Sequence, residues 1–369
     1  MAQRPPAKVG DAVTAIETPA LVLDLDVFER NLDRMADATH GIRLRPHAKA
    51  HKCPDIARLQ MARGAVGVCC QKTDEAAAFV EAGISDVLVT NEVVAPAKID
   101  RLAALARDAT VGVLVDDSDN VKVLADTAMR NGASLDVYVE INVGANRCGV
   151  TPGLPARALA QQIATSPGLH FRGLHAYHGG AQHLRSPDER REAIARAATL
   201  TRDTRDLIAE TGIVCSIVTG AGSGTWRHEM TSGVWNELQP GSYPFMDADY
   251  GRNLLGAEDI AFEQSLFVLA GVMSVGDGRA IVDAGLKAFA FDSGLPLVHG
   301  RIDVAYAKAS DEHGVLAIAA GQRPLTRNDR VWLIPGHCDP TFNLYDWVVG
   351  CRSDRVEAVW SIAARGALG

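Results

Sequence analysis

Eight short apolar runs alternate with helix-period segments up to about residue 256, and this alternation constrains the fold more than any motif does. The runs fall at 42–47, 65–70, 86–90, 111–115, 136–142, 171–176 and 214–219, with a fainter one at 235–242. Helix starts lie between them. Thr73 precedes Asp74-Glu75, and Ser118 precedes Asp119. Ser186-Pro187-Asp188-Glu189 forms a capping box with proline at the first helical position, opening a long helix to about residue 211. Strand–helix alternation builds a parallel sheet covered on both faces, and eight repeats favour closure into a barrel. A doubly wound open sheet is the alternative, weakened by the lack of a G-x-G-x-x-G after the first strand.

Beyond residue 256 the pattern changes. Runs at 264–275, 279–283, 301–307, 315–319 and 330–335 are separated by glycine, aspartate and asparagine, which reads as antiparallel β structure. The expected fold class is therefore α/β: a TIM-like (β/α)8 barrel over 18–255 and a second, mainly antiparallel β domain over 256–369, with 1–17 free to join the second unit. A run at 21–25 precedes a helix expected over 26–38, and it either introduces the barrel or pairs with the β domain.

The chain has 369 residues, 47% hydrophobic and 22% charged, with a net charge of −8. That balance fits a globular protein with a sizeable core and argues against nucleic acid as a partner. No apolar run is long enough for a bilayer, and residues 1–10 lack the apolar stretch of an export signal. The seven cysteines are odd in number and contain no C-x-x-C pair, which points to reduced thiols in the cytoplasm.

In a parallel barrel the chemistry gathers at the carboxyl ends of the strands. Lys49, Gln71, Asn91, Asp116, Arg147, His178 and the loop from Gly220 to Thr225 all follow candidate strands. Within Arg45-Pro46-His47-Ala48-Lys49-Ala50-His51-Lys52, Lys49 sits where a strand opens into a loop, a place from which a lysine can form an imine with an aldehyde cofactor when its surroundings favour the neutral amine. By strand alternation His47, Arg45 and Arg43 share its face. Lys52 lies beyond, beside the helix start at Cys53-Pro54, and reads as a solvated charge or as one supporting the residues around Lys49. Gly222, Ser223, Gly224 and Thr225 lie in a glycine-rich loop whose N–H groups can approach a phosphate. Gly241, Ser242 and Tyr243 offer a second phosphate contact, and Arg147 could hold a phenolate oxygen. Three histidines surround a strand end at His175, His178 and His183, and His183 is the candidate general base. In an extended segment His337 and Asp339 would share a face, an imidazole–carboxylate pair suited to Mn²⁺, Mg²⁺ or Zn²⁺ in an open site.

These elements together resemble the fold-type III pyridoxal-phosphate enzymes, the alanine racemase-like group, and within it the D-threonine aldolase and D-serine dehydratase branch. The resemblance runs from Thr18-Pro19-Ala20 to Pro340-Thr341-Phe342, and the Arg-Pro-His-Ala-Lys-x-His-Lys and His-x-Asp elements carry it. It implies pyridoxal 5'-phosphate on Lys49, with Gln71, Arg147 and Tyr177 lining the cofactor. The glycine-rich loop and Gly241–Tyr243 would hold its phosphate. A divalent metal, Mn²⁺ first, would sit on His337 and Asp339, and the chain would be a homodimer. Dehydratase members resemble this chain but use His-x-Cys; here Asp339 stands at the matching position and Cys338 is one residue out of phase, which favours the aldolase branch. The implied reaction is retro-aldol cleavage of a small D-β-hydroxy-α-amino acid, D-threonine giving glycine and acetaldehyde. Cleavage of 3-hydroxy-D-aspartate to glycine and glyoxylate, dehydration of D-serine or 3-hydroxyaspartate, and cofactor binding without turnover are the alternatives.

Overall fold

The structure, a computed structural model, describes residues 4–369. The chain enters through β1 (Ala20–Asp24) and the helix Leu25–Ala38, whose first turn is capped by the Asp24 carboxylate accepting from the Val27 N–H at 3.1 Å. Eight strands follow: β2 (Arg43–Leu44), β3 (Val68–Cys70), β4 (Asp86–Glu92), β5 (Thr110–Val115), β6 (Leu135–Glu140), β7 (Leu169–Ala176), β8 (Ile217–Gly220) and β9 (Glu237–Leu238). All pairings are parallel, in the order β2-β9-β8-β7-β6-β5-β4-β3. The two ends of this curled sheet meet at a parallel bridge between His47 and Cys69, with the Val66 N–H donating to Leu44 O and the Cys69 N–H to Pro46 O, both at 2.9 Å. The expected eight-strand barrel is thus present, and each expected strand has its counterpart.

The second unit is a nine-stranded, mainly antiparallel sheet. It contains β10 (Leu266–Gly276), β11 (Arg279–Val282), β12 (Leu297–Val298), β13 (Val304–Ala309), β14 (Gly314–Ile318), β15 (Arg330–Ile334), β16 (Trp347–Arg352) and β17 (Arg355–Ser361), together with β1. β1 lies antiparallel to β10 and parallel to β16. Of the two options for the run at 21–25, the strand therefore takes the second and pairs with the β sheet. Leu21, Val22 and Leu23 are apolar on both faces, which suits a central strand and gives no local clue to which sheet takes it. Strands β12, β16 and β17 had no counterpart in the sequence reading.

Barrel strands are apolar on consecutive residues because both faces are buried, yet the two faces differ. Val87, Val89, Val113, Val115, Val137 and Val139 join the large core under the helices, whereas Cys69, Leu88, Leu114, Tyr138 and Ile217 form a separate cluster. With a period of two, that second set lies on the barrel's inward face. The inward positions next to it hold Arg45 and Glu237. Arg45 Nε donates to Glu237 Oε1 at 3.1 Å and Nη1 to Asp86 Oδ1 at 2.7 Å, and Thr219 Oγ1 donates to Glu237 Oε1 at 2.9 Å. Burial opposes the Glu237 carboxylate, but Arg45 and Arg43 outweigh it and hold its pKa below the usual range. Glu237→Gln leaves a buried guanidinium short of one counter-charge. It is expected to cost about 3 kcal/mol of stability, checked by the denaturant midpoint; an unchanged midpoint would show that Asp86 alone suffices.

The Ser186 capping box is present, with Glu189 Oε2 accepting from the Ser186 N–H at 3.3 Å, and the helix runs Pro187–Ala209. Asp117, not Ser118, caps its helix by accepting from the N–H groups of Asp119 and Asn120. All seven cysteines are free. Among the described residues, no helix is long and apolar enough to cross a membrane.

Candidate active site

Lys49 leaves the barrel wall on a tight turn. The strand path ends at His47, whose Nδ1 accepts from the Lys49 N–H at 3.4 Å, and a 3₁₀ turn spans Ala48–Ala50. Ala48 and Ala50 are buried, so Lys49 between them is turned outward, and its side chain keeps 40% exposure. Its Nζ donates to Asp339 Oδ2. Burial by itself disfavours the Lys49 ammonium, but Asp339, with Tyr177 behind it, reverses the balance and raises its pKa. Asp339 is the reciprocal case: burial opposes its charge, and Lys49 and His337 overcome this and hold its pKa below the usual carboxylate range.

Lys52 has a different fate. Its side chain is 9% exposed and its Nζ donates to Glu75 Oε2 at 3.3 Å, while its backbone carbonyl receives the Ala364 N–H. It ties the lysine turn to the helix Thr73–Glu81 and to the end of the chain, away from the cleft.

A cleft of about 140 Å³ opens beside Lys49. Gln71, Arg147, Tyr177, Gly222, Ser223, Gly241 and Ser242 line it, as do His47, Thr90, His175, Ala221, Gln239 and Tyr250. Its floor is a bonded chain. The Thr90 hydroxyl donates to Cys70 O at 3.2 Å and lies 2.8 Å from His47 Nε2, and Gln71 Nε2 donates to Thr90 O at 3.0 Å. A hydroxyl that already donates accepts from Nε2–H, so His47 is the neutral Nε2–H tautomer. This agrees with a pKa driven well down by burial and by Lys49. Arg147 lies 5.9 Å from the Tyr177 ring centroid and 3.8 Å from Glu140. Burial raises the Tyr177 pKa against the pull of Lys49 and Arg147, so its phenol stays protonated.

At the other end of the cleft, the N–H groups of Gly222, Ser223 and Gly241 have no acceptor among the described residues. The Ser242 N–H donates to Ser223 Oγ at 2.9 Å, which clamps the two loops together. A Cβ at Gly222 would come within 2.5 Å of the Gln182 side chain, and one at Gly241 within 3.0 Å of the His47 carbonyl, so both loops pack closely at glycine. Gly224, Thr225 and Tyr243 do not line the cleft. Thr225 Oγ1 donates to Glu229 and accepts from Gln182, both at 2.7 Å, and the buried Tyr243 hydroxyl accepts from Gln60 at 3.3 Å. The tyrosine expected to finish the phosphate cup is buried in the core, where its hydroxyl accepts from Gln60.

His183 closes a 3₁₀ turn over Gly179–His183, and its Nδ1 lies 2.7 Å from Asp249 Oδ2. Since the carboxylate accepts, Nδ1 carries the proton and Nε2 is free to accept one. His337 is arranged likewise, with Nδ1 2.6 Å from Asp292 Oδ2. The His337–Asp339 segment is not extended as expected: His337 caps a short helix over Cys338–Phe342, begun because the Cys338 N–H donates to Asp247 Oδ2 at 2.9 Å. Asp339 Oδ1 receives the Ser242 hydroxyl at 3.2 Å, so this carboxylate touches both the lysine and the phosphate-side loop. Among the described residues, no three His, Cys, Asp or Glu side chains gather as a metal cluster.

Comparison with known proteins decides the lineage. Residues 23–249 match the alanine racemase, N-terminal domain model, and residues 265–351 match a putative serine dehydratase domain. The chain is 47% identical over 366 residues to a D-threonine aldolase from Arthrobacter sp, covering 98% of this chain and 96% of that one. The chain belongs to the alanine racemase-like family, in its D-threonine aldolase branch. A 3-hydroxy-D-aspartate aldolase from Paracoccus denitrificans (strain Pd 1222) is 48% identical over 371 residues, covering 98% of this chain and 95% of that one. The crystal structure of D-threonine aldolase from Filomicrobium marinum superposes with a TM-score of 0.96 at 48% identity, covering 99% of this chain and 100% of that one. The chain is accordingly an enzyme, a lyase of this alanine racemase-like branch, and the family implies pyridoxal phosphate.

Sequence reasoning named His175 but missed Thr90, Gln239 and Tyr250 in the cleft lining and Glu140 beside Arg147. Thr90, Glu140 and Gln239 were legible by the same alternation that placed His47: they share the inward parity of Leu88, Tyr138 and Glu237 on their own strands. Tyr250 carries no such signal, because it follows the last barrel strand in an irregular segment. Asp249 and Asp292, which orient the two histidines, were equally silent.

Proposed function

We propose that this enzyme cleaves the Cα–Cβ bond of D-β-hydroxy-α-amino acids, D-threonine to glycine and acetaldehyde, using pyridoxal 5'-phosphate and a divalent metal, Mn²⁺ before Mg²⁺ or Zn²⁺. The observation that supports it most is the shared carboxylate: Asp339 bonds Lys49 and Ser242 and stands two residues from His337, so the lysine, the phosphate-side loop and the His-x-Asp pair meet at one point.

The residues present fit both groups. Lys49 would hold the cofactor aldehyde carbon, the free N–H groups of Gly222, Ser223 and Gly241 its phosphate, and Arg147 its phenolate oxygen. His337 offers Nε2 to a metal with Nδ1–H fixed on Asp292, the carboxylate-supported form that a histidine ligand takes. Two protein ligands leave positions for substrate and water, as an exchangeable site requires. When bound, the cofactor accepts the electron pair of the breaking bond and the metal lowers the pKa of the β-hydroxyl. The protein's part is to hold and to move protons. His183 Nε2, with Nδ1–H on Asp249, takes the hydroxyl proton, and neutral His47 with Thr90 fixes the floor of the cleft. A hydroxyl that has lost its proton is a poor leaving group, which favours C–C cleavage over loss of water.

Family membership and seven free cysteines support a cytoplasmic homodimer in the same proposal. Product analysis tests the reaction. D-Threonine with the cofactor-loaded chain and Mn²⁺ is expected to give glycine and acetaldehyde, and a chelator to stop it. 2-Oxobutyrate and ammonia would instead make the enzyme a dehydratase.

A further inference from the structure

Two arginines from different parts of the chain, Arg185 and Arg252, converge on the carboxylate of Asp249. Asp249 Oδ1 accepts from Arg185 Nη2 at 2.5 Å and from Arg252 Nη1 at 3.2 Å, while Oδ2 faces His183. Burial opposes ionisation of Asp249, and Arg185 and His183 outweigh it, so the group is a full anion. Two guanidiniums against one carboxylate leave one positive charge in excess beside the proposed base.

The two arginines differ in what they have left to give. Both Nη atoms of Arg185 are engaged, Nη1 by Asp249 O at 2.8 Å and by Asn253 Oδ1 at 2.7 Å. Arg252 Nη1 also donates to Ser293 O at 3.2 Å, but its Nε and Nη2 have no acceptor among the described residues, and its side chain is 49% exposed. Those two nitrogens form one edge of the guanidinium fork, the edge that takes a carboxylate in bidentate fashion.

That edge lies beside the residues that orient the proposed base and the proposed metal ligand. Ser293 is next to Asp292, the partner of His337. A Cβ on Gly336, the residue before His337, would collide with the Gly294 carbonyl, and a Cβ on Gly294 would come within 3.2 Å of Arg252 Nη2. The Asp249 N–H donates to Gly336 O at 3.2 Å. Arg252 is thereby packed between the partner of His183 and the partner of His337.

We infer that Arg252 is a specificity-determining residue that receives a second carboxylate carried on Cβ of the substrate, so that this site takes 3-hydroxy-D-aspartate in preference to D-threonine. The inference rests on the aldolase reading above. The reaction balances without another reactant: the Cα–Cβ bond breaks, the β-hydroxyl proton leaves as the C=O of glyoxylate forms, and a proton returns to Cα to give glycine.

The test compares kcat/KM for the two substrates in wild type, Arg252→Gln and Arg252→Lys holoenzymes with Mn²⁺. Arg252→Gln is expected to lower the dicarboxylate value roughly 10- to 100-fold more than the D-threonine value, the loss of a charge-assisted pair, with Arg252→Lys in between. If Arg252 merely holds Asp249 and thereby His183, both substrates fall together; equal losses, or none, overturn the inference. Calorimetric binding of D-malate to the same three proteins reads the contact without turnover. Binding to wild type no tighter than to Arg252→Gln overturns it too, whereas a wild type that binds D-malate through Arg252 but cleaves neither amino acid overturns the aldolase reading alone.

Discussion

Lys49→Ala is expected to abolish covalent retention of pyridoxal phosphate and to reduce turnover to background. The chain has two lysines at this turn, and their surroundings separate them. Lys49 is outward on its turn, borders the cleft and is half open to solvent. Lys52 is buried on Glu75 and anchors Ala364. Reduction of the loaded enzyme with borohydride, followed by denaturation and peptide mass analysis, should place the cofactor's mass on the peptide bearing Lys49, and the label should vanish in Lys49→Ala. Lys52→Ala should keep the label and instead lose stability, because Glu75 would be left buried without its cation. A label on Lys52 would refute the assignment.

Asp339→Ala carries the second large effect, and it has two separable parts. As a metal ligand, its loss should remove the Mn²⁺ dependence and with it the cleavage of D-threonine, by about 100-fold or more if the His-x-Asp pair anchors the metal. As the counter-ion of Lys49, its loss should lower the lysine pKa, since burial, which opposes the ammonium, is then left without its main opponent. Only the neutral amine attacks an aldehyde, so capture of the cofactor should extend to lower pH in Asp339→Ala than in wild type. Metal affinity by calorimetry and the pH profile of cofactor uptake read the two parts independently. Unaltered metal affinity, or activity that persists in a chelator, would remove Asp339 and His337 from the metal site while leaving the lysine pairing intact.

Both effects depend on contacts far apart in the chain, and this marks the limit of what the sequence disclosed. The barrel was legible because each of its strands and helices declares itself locally: apolar runs of strand length, the Ser186 capping box, and prolines and glycines between. Lys49 and the glycine-rich loop were legible for the same reason, since strand ends in a parallel barrel converge whatever the details of packing. The inward parity of Thr90, Glu140 and Gln239 was also available in the sequence.

Tertiary structure alone decided the rest. β1 is apolar on both faces, so nothing in it distinguishes the barrel from the sheet that pairs it with β10 and β16. Tyr243 looked like a phosphate ligand beside Gly241 and Ser242, but Gln60, 183 residues away, holds its hydroxyl in the core. The His337–Asp339 segment has the spacing of an extended ligand pair, yet Asp247 starts a helix there by accepting the Cys338 N–H. Lys49 and Asp339 are 290 residues apart, and His183 and Asp249 66 apart. Sequence periodicity reports which face a side chain takes on its own element. Which charge it meets across the mouth depends on how the barrel and the β sheet close on one another, and no local period encodes that.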